Sequence, residues 1–166
     1  MPEPIENTEE QDNATTRRRA EASDEGETTA TSEVFAAAEL DERMLAALHS
    51  ASEKKAVRVV ALDLRPVASF TDYFLIASGT NARQVQAIAD GVVDDLKNQG
   101  TRPARVEGYN TGEWVLLDYG DFIFHVFEEK SRRFYDLERL WRDAARVPLP
   151  PELSAPGGEG SLRDER

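Results

Sequence analysis

Residues 73–96 read YFLIASGTNARQVQAIADGVVDDL, and this stretch predicts one strand, one turn and one helix in succession. Residues 73–77 are apolar throughout, as in a strand that is buried on both faces. Residues 78–81 turn the chain, and Asn81 with Gln84 three positions later resembles the capping box of a helix start. Apolar residues then recur at helical spacing from Val85 to Leu96, and Gly100 ends the helix.

Upstream of this unit the pattern predicts a helix and a strand. Ser32 is a candidate N-cap for a helix over residues 33–50. Its apolar stripe comprises Ala37, Leu40, Met44 and Leu48. Residues 57–64 are β-branched and apolar, which favours a central strand, and Arg65-Pro66 interrupts it.

Downstream the pattern predicts three strands and a last helix. The strands cover residues 104–109, 114–118 and 122–127, and the short Tyr119-Gly120 link joins the last two as a β-hairpin. The helix covers residues 131–145. Its predicted inward face consists of Phe134, Leu137, Leu140, Trp141 and Ala144. The order α-β-β-α-β-β-β-α predicts an α/β (α+β) fold, a mixed five-stranded sheet flanked by helices.

The two ends of the chain differ in composition from this block. Residues 1–32 are polar and acidic with almost no large apolar side chains, so we expect a disordered arm. Residues 148–166 are rich in proline and glycine and predict a disordered, extended tail. The predicted domain is therefore residues 33–147.

The charge balance favours a basic protein partner. The formal net charge is −12, with 20 Lys and Arg against 32 Asp and Glu. Nucleic-acid binding through phosphates needs clustered basic residues, so we expect no direct nucleic-acid contact. The absence of cysteine excludes disulfides and Cys-based zinc sites and suits a reducing cytosol. No apolar stretch approaches a membrane helix, and residues 1–4 (MPEP) do not begin a signal peptide, so we expect a cytoplasmic location without membrane contact.

Chemistry-bearing residues are few, and each allows more than one interpretation. His125 alternates with Ile123 and Phe127, and it could be a sheet histidine, an interface contact or a catalytic group. Asp118 and Asp121 flank the hairpin turn and could stabilise it, contact a partner or bind metal. No His or Cys lies at metal-ligand spacing, and no phosphate-binding or hydrolase motif occurs, so we expect neither catalysis nor a cofactor.

Trp114 and two arginines complete the candidates. Trp114 opens a strand after a turn and is either a core residue or an aromatic anchor for a partner. Arg132 and Arg133 fall in the first turn of the predicted last helix, which is unfavourable for the helix dipole. That placement allows pairing with Asp118 or Asp121, or simple solvation.

Three stretches together resemble the RsfS/Iojap family of ribosomal silencing factors. Residues 72–90 (DYFLIASGTNARQVQAIAD) resemble its signature helix region. Residues 107–108 (EG), 114–121 (WVLLDYGD) and 122–127 (FIFHVF) resemble its hairpin, and residues 132–141 (RRFYDLERLW) its closing helix. The resemblance covers about residues 40–141, and several motifs in the right order make it specific.

The resemblance implies a fold related to nucleotidyltransferases and a non-enzymatic role. The implied partner is the large ribosomal subunit, through ribosomal protein fourteen at the face that meets the small subunit. Binding there would block subunit joining sterically and repress translation when nutrients are short. The hairpin residues Trp114, Leu116, Asp118, Tyr119, Asp121 and His125, with Arg132 and Arg133, are the implied partner-binding set. The family is also expected to form homodimers.

Two rival functions stay open at this stage. One is a nucleotidyltransferase-like enzyme, because related enzymes hold two metal ions with a D-x-D carboxylate pair. Here the spacing of Asp118 and Asp121 is D-x-x-D, which places the side chains differently on a hairpin. The other rival is a dimeric scaffold that does not bind ribosomes.

Overall fold

A computed structural model describes residues 39–154 of the chain. Its helices are α1 (Glu42–Glu53), α2 (Ala82–Asn98), α3 (Glu129–Tyr135) and α4 (Leu137–Leu140). Its strands are β1 (Val57–Asp63), β2 (Tyr73–Gly79), β3 (Arg105–Glu107), β4 (Trp114–Asp118), β5 (Phe122–Glu128) and β6 (Ala145–Arg146). The predicted α+β class, with helices flanking a mixed sheet, is confirmed.

The sheet has the order β3-β4-β5-β2-β1-β6, and only the central pair β2–β5 is parallel. The described residues contain six strands rather than the five predicted. The additional strand, β6, pairs Ala145 with Asp63 and Arg146 with Leu62. Two residues are too few to show the alternation that identifies a strand in a sequence.

Both faces of the sheet bear apolar side chains. α2 buries Val85, Ile88, Val92 and Leu96 on one face, and it contacts α1 and the strands β2, β4 and β5. The other face carries a core cluster of Leu62, Leu64, Phe74, Ile76, Ile123, Phe127, Leu137 and Ala144. The helical segments on this second face are short, so part of β4 stays accessible there.

The first helix begins later than predicted within the described residues. Asp41, rather than Ser32, is the N-cap of α1, and its Oδ1 accepts a hydrogen bond from the Met44 amide at 2.9 Å. Leu40 therefore precedes the helix, whereas Met44 and Leu48 are buried as predicted. Ser32 and Ala37 lie outside the described residues.

The last helix was predicted wrongly as one continuous element. Asp136 adopts the left-handed conformation (φ 51°) and separates α3 from α4. This interruption rotates the apolar stripe, because helical spacing no longer holds across it. Phe134 and Leu140, predicted to face inward, are 79% and 70% exposed, whereas Leu137 and Ala144 are buried. Aspartate tolerates the left-handed region better than most residues, which explains why it occupies the break.

Packing also extends beyond the predicted end of the domain at residue 147. Residues 151–154 are helical, and Leu153 is 4% exposed. The first part of the predicted mobile tail is thus packed. Residues 1–38 and 155–166 lie outside the described residues, so the disorder predicted for them stays a prediction. Within residues 39–154, no helix has the length and hydrophobicity to cross a membrane.

We expect Leu153→Ala to lower the free energy of unfolding by about 2 kcal/mol or more, because it removes a buried side chain and leaves a cavity. Chemical denaturation of the full chain measures the effect. Glu152→Ala is the matched control, since the Glu152 side chain is 59% exposed and its contact with His49 is 3.6 Å long. Equal stability of the two variants would contradict the packing of this segment.

Candidate interaction surface

The hairpin β4–β5 places three of the candidate residues on one face of the sheet. Trp114, Leu116 and Asp118 alternate along β4 with the buried residues Val115 and Leu117. Across the strand pair, Trp114 faces Phe127 and Leu116 faces His125. This face is the second one, away from α2, so the three side chains remain partly exposed.

Trp114 packs against the core and is also partly exposed, so its role as a partner anchor stays a prediction. Its ring stacks on Phe127 with the centroids 4.9 Å apart and contacts Tyr135 at 4.6 Å. Its Nε1 donates a hydrogen bond to His125 Nδ1 at 3.1 Å. The residue packs against the core cluster yet is only partly buried. One side of the indole therefore supports the fold, and the rest of the ring is accessible to solvent.

His125 lies beneath Trp114 and is 3% exposed. Its Nδ1 accepts the Trp114 bond, and Nε2 has no hydrogen-bond partner among the described residues. Burial lowers the pKa of His125 to about 3, because the charged ring would lose its hydration. In this structure His125 is a buried residue of the sheet, and a direct contact with a partner stays a prediction.

The buried imidazole predicts a pH dependence of stability. Its pKa is lower in the folded protein than the ordinary 6.5, so the unfolded chain binds more protons between these values. The stabilisation is complete above about pH 6.5 and is lost on acidification. We expect the free energy of unfolding to fall by about 2 kcal/mol between pH 7 and pH 5 because of this residue alone. Unfolding curves of the wild type and His125→Gln test this, and parallel losses in both proteins would contradict it.

Aromatic rings extend from the hairpin in both directions across the same face. Neighbouring rings have centroid distances between 4.4 and 5.9 Å. We call this set the aromatic row; in spatial order it comprises Phe70, Trp141, Phe74, His125, Trp114, Tyr135 and Phe134. Phe70 is 57% exposed and Tyr135 47% exposed, so the row is accessible at both ends. Phe74 and His125 within the row are buried, so the exposed apolar surface lies at its two ends, and exposed aromatic surface of this kind is typical of an interaction site.

Sequence reasoning missed several members of this row. Phe70 was not singled out, and Phe134 was assigned to the core. The signal for Phe134 would have been the break at Asp136, but aspartate within a helical pattern is too common to identify one. Phe70 follows the strand breaker Pro66, and a single aromatic residue in a loop has no periodicity to reveal its neighbours.

The turn of the hairpin holds Asp118 and the two remaining hairpin candidates, Tyr119 and Asp121. Asp118 accepts a hydrogen bond from the Gly120 amide at 2.9 Å and pairs with Arg105 at 3.4 Å. Asp121 pairs with Arg43 of α1. Tyr119 is buried and stacks on Phe122 at 4.9 Å, and burial raises the pKa of Tyr119 to about 12. The two aspartates thus serve the turn and its contact with α1.

The two candidate arginines do not pair with these aspartates, contrary to one interpretation of the sequence. Both lie in the last turn of α3, where positive charge is favourable, rather than in a first turn. Arg132 is 5% exposed and forms two hydrogen bonds to Glu138, at 3.1 and 3.0 Å. Its Nη1 also donates to Ser78 Oγ at 2.8 Å and to the Arg58 carbonyl at 2.6 Å. Arg133 is exposed, 3.9 Å from Glu129.

A two-metal arrangement has no counterpart at the hairpin. Each of Asp118 and Asp121 is paired with a different arginine, and the two carboxylates therefore do not converge on a common centre. Among residues 39–154 there is no group of three or more His, Asp or Glu side chains that could hold a metal ion.

An α+β domain with this arrangement has solved relatives. An X-ray structure of a protein from Chromobacterium violaceum superposes with a TM-score of 0.61 at 31% identity, covering 75% of this chain and 99% of that one. This chain therefore shares the α+β fold of that structure. Sequence comparisons identify its family.

The chain matches the family described as "Ribosomal silencing factor during starvation" over residues 37–164, and it belongs to this family. It is 42% identical to the ribosomal silencing factor RsfS of Halalkalibacterium halodurans over 108 residues, which are 65% of this chain and 92% of that protein. It is also 30% identical to "Mitochondrial assembly of ribosomal large subunit protein 1" of Mus musculus, over 54% of this chain and 40% of that protein. The family resemblance found in the sequence is confirmed.

Proposed function

We propose that this protein binds the large ribosomal subunit through its ribosomal protein fourteen and thereby blocks the small subunit from joining. The consequence would be repression of translation in the cytoplasm under nutrient limitation, without catalysis and without a cofactor. Membership of the ribosomal silencing factor family supports a role on the ribosome. The name of the mouse relative refers to assembly of the ribosomal large subunit, which supports that subunit as the partner.

The observation that carries the proposal is the aromatic row on the accessible face of the hairpin. Trp114 and Leu116 are partly exposed on this face, and Tyr135 and Phe134 extend it with exposed rings. Interface energy is concentrated in aromatic anchors of this kind, surrounded by contacts that exclude water. A partner that covers these exposed rings would remove their apolar area from water, which favours binding.

The net charge of the chain supports a basic protein as the partner. Asp118 and Asp121 lie beside the row, but each pairs with an arginine, so these two residues add little net charge there. The chain as a whole has a net charge of −12. An acidic surface steers a basic partner to the encounter and disfavours acidic partners, including the phosphate backbone of RNA.

Nucleotidyl transfer is the weaker alternative, because Asp118 and Asp121 each neutralise an arginine in place of converging on metal. A dimeric scaffold without ribosome binding is a second alternative, and the homodimer implied by the resemblance stays a prediction. Sedimentation of the purified protein with large subunits, followed by a subunit-joining assay, separates the three. Co-sedimentation with inhibition of joining supports silencing, whereas metal-dependent nucleotide incorporation or failure to co-sediment would contradict it.

We expect the affinity for large subunits to fall as salt concentration rises, since screening weakens attraction between an acidic surface and a basic partner. The dependence should be shallow, because the apolar row contributes binding energy that salt does not screen. Sedimentation at increasing potassium chloride concentrations measures the slope. An affinity that does not change with salt would show that charge plays no part in recognition.

A further inference from the structure

A second concave feature lies away from the aromatic row. A cavity of about 440 Å³ opens between β1, the α3–α4 break, β6 and the helical residues 151–154. Four arginines line it: Arg58, Arg132, Arg133 and Arg146. We call it the arginine cavity. Such a concentration of positive charge contrasts with the net charge of −12 of the whole chain.

The carboxylates around the arginine cavity do not balance its positive charge. Asp136 and Glu138 line it, and Glu129 contacts it from α3 through Arg58 and Arg133. Four guanidinium groups therefore face three carboxylates. One positive charge remains for an anion to neutralise.

The arginines share their carboxylate partners in pairs. Arg58 and Arg133 approach the same oxygen of Glu129, at 3.1 and 3.9 Å. Arg132 and Arg146 approach the same oxygen of Glu138, at 3.0 and 3.5 Å. Ion pairs between exposed side chains contribute little stability, so the guanidinium groups of Arg58, Arg133 and Arg146 can exchange a carboxylate for a phosphate.

The wall of the cavity is held rigidly at two points. Arg132 is anchored by Glu138, Ser78 and the Arg58 carbonyl, and it fixes the position of β1. Arg58 lies in the irregular part of β1 between Val57 and Val60 and has a φ of 51°. A non-glycine residue is held in this conformation only where its surroundings determine it, and such residues cluster at binding sites.

We propose that the arginine cavity binds a free nucleotide that carries two or more phosphates. Its volume falls in the range of small-ligand sites. Arg58, Arg133 and Arg146 would contact the phosphates, since guanidinium groups match phosphate oxygens in bidentate geometry. The apolar side chains of Val59, Val60 and Leu153 would contact the nucleoside.

Isothermal titration calorimetry of the full chain with ADP and GDP tests this proposal. Arg146→Ala removes a side chain that is 66% exposed. Arg58→Gly removes a guanidinium group and suits the left-handed backbone, so both variants should fold. We expect each to weaken nucleotide binding about tenfold, the effect of losing one charge-assisted contact. Arg102→Ala, an exposed arginine that does not line the cavity, is the matched control and should bind as the wild type does.

Several results would overturn the proposal. They are absence of ADP and GDP binding at millimolar concentration, unchanged affinity in Arg146→Ala and Arg58→Gly, or inorganic phosphate binding as tightly as ADP. A short RNA oligonucleotide that binds more tightly than ADP, and loses affinity in Arg146→Ala, would assign the cavity to an RNA backbone instead. Co-sedimentation with large subunits is measured separately, so failure of nucleotide binding leaves the proposed ribosomal function untouched.

Discussion

Trp114→Ala is expected to weaken binding to large ribosomal subunits by about 30-fold or more, the largest loss for any single change in the aromatic row. Truncation of a tryptophan at the centre of an interface typically costs about 2 kcal/mol or more, and about 1.4 kcal/mol corresponds to tenfold in Kd. The indole is partly exposed, and the exposed rings of Tyr135 and Phe134 follow it along the surface. Its removal therefore opens the middle of the row to water.

The same change also affects the fold, so two measurements are needed. Trp114 packs on Phe127 and donates to His125, and its loss leaves the buried Nδ1 without a donor. We expect a lower melting temperature together with weaker binding. Leu116→Ala tests the same face with a smaller effect on the fold, because it leaves the Trp114–His125 hydrogen bond in place.

Val106→Ala is the matched control for Leu116→Ala. Val106 is 44% exposed, and it pairs with Leu117, whose side chain points to the opposite face from Leu116. Its truncation should leave subunit binding unchanged. Trp114→Ala and Leu116→Ala proteins that are folded at the assay temperature but bind with wild-type affinity would falsify the proposed interface.

Arg132→Ala is expected to lower the free energy of unfolding by about 3–5 kcal/mol, because it breaks a buried ion pair and removes the hydrogen-bond donors of its buried partners. Glu138 would lose two hydrogen bonds, and Ser78 and the Arg58 carbonyl one each. Burial acts to raise the pKa of Glu138, but the hydrogen bonds and charge of Arg132 hold it below its ordinary value. For a domain of this size we expect a melting temperature lower by roughly 10–20 °C.

The neighbouring residue provides the control for this prediction. Arg133→Ala removes the same type of side chain from the next position of α3, where it is 65% exposed and only 3.9 Å from Glu129. Its melting temperature should change by less than about 3 °C. Similar melting temperatures for the two variants would contradict a structural role for Arg132.

The central strand–turn–helix unit was predictable because its local and long-range requirements agree. Residues 73–77 are apolar at every position, which only a strand buried on both faces requires. Asn81 caps α2 through a bond from the Gln84 amide at 2.8 Å, as the capping pattern indicated. Each of these signals is confined to a few neighbouring residues.

The second face of the sheet was harder to predict because tertiary contacts determine it. Whether Arg132 is a surface residue depends on Glu138, Ser78 and Arg58, and Ser78 and Arg58 are remote from it in the sequence. The aromatic row likewise joins Phe70 to Trp141, which no periodic pattern connects. A family resemblance transfers the position of a surface but not the burial of each side chain within it.

The parallel pairing of β2 with β5 also sets the order in which this chain can fold. The two strands are separated by residues 80–121, so their pairing must close a long loop, whereas the β4–β5 hairpin needs only local contacts. During synthesis, β2 cannot pair with β5 until residue 128 has left the ribosome. Strand β1 can pair with β6 only after residue 146 has followed. The sheet is therefore complete only after residue 146 has emerged from the ribosome.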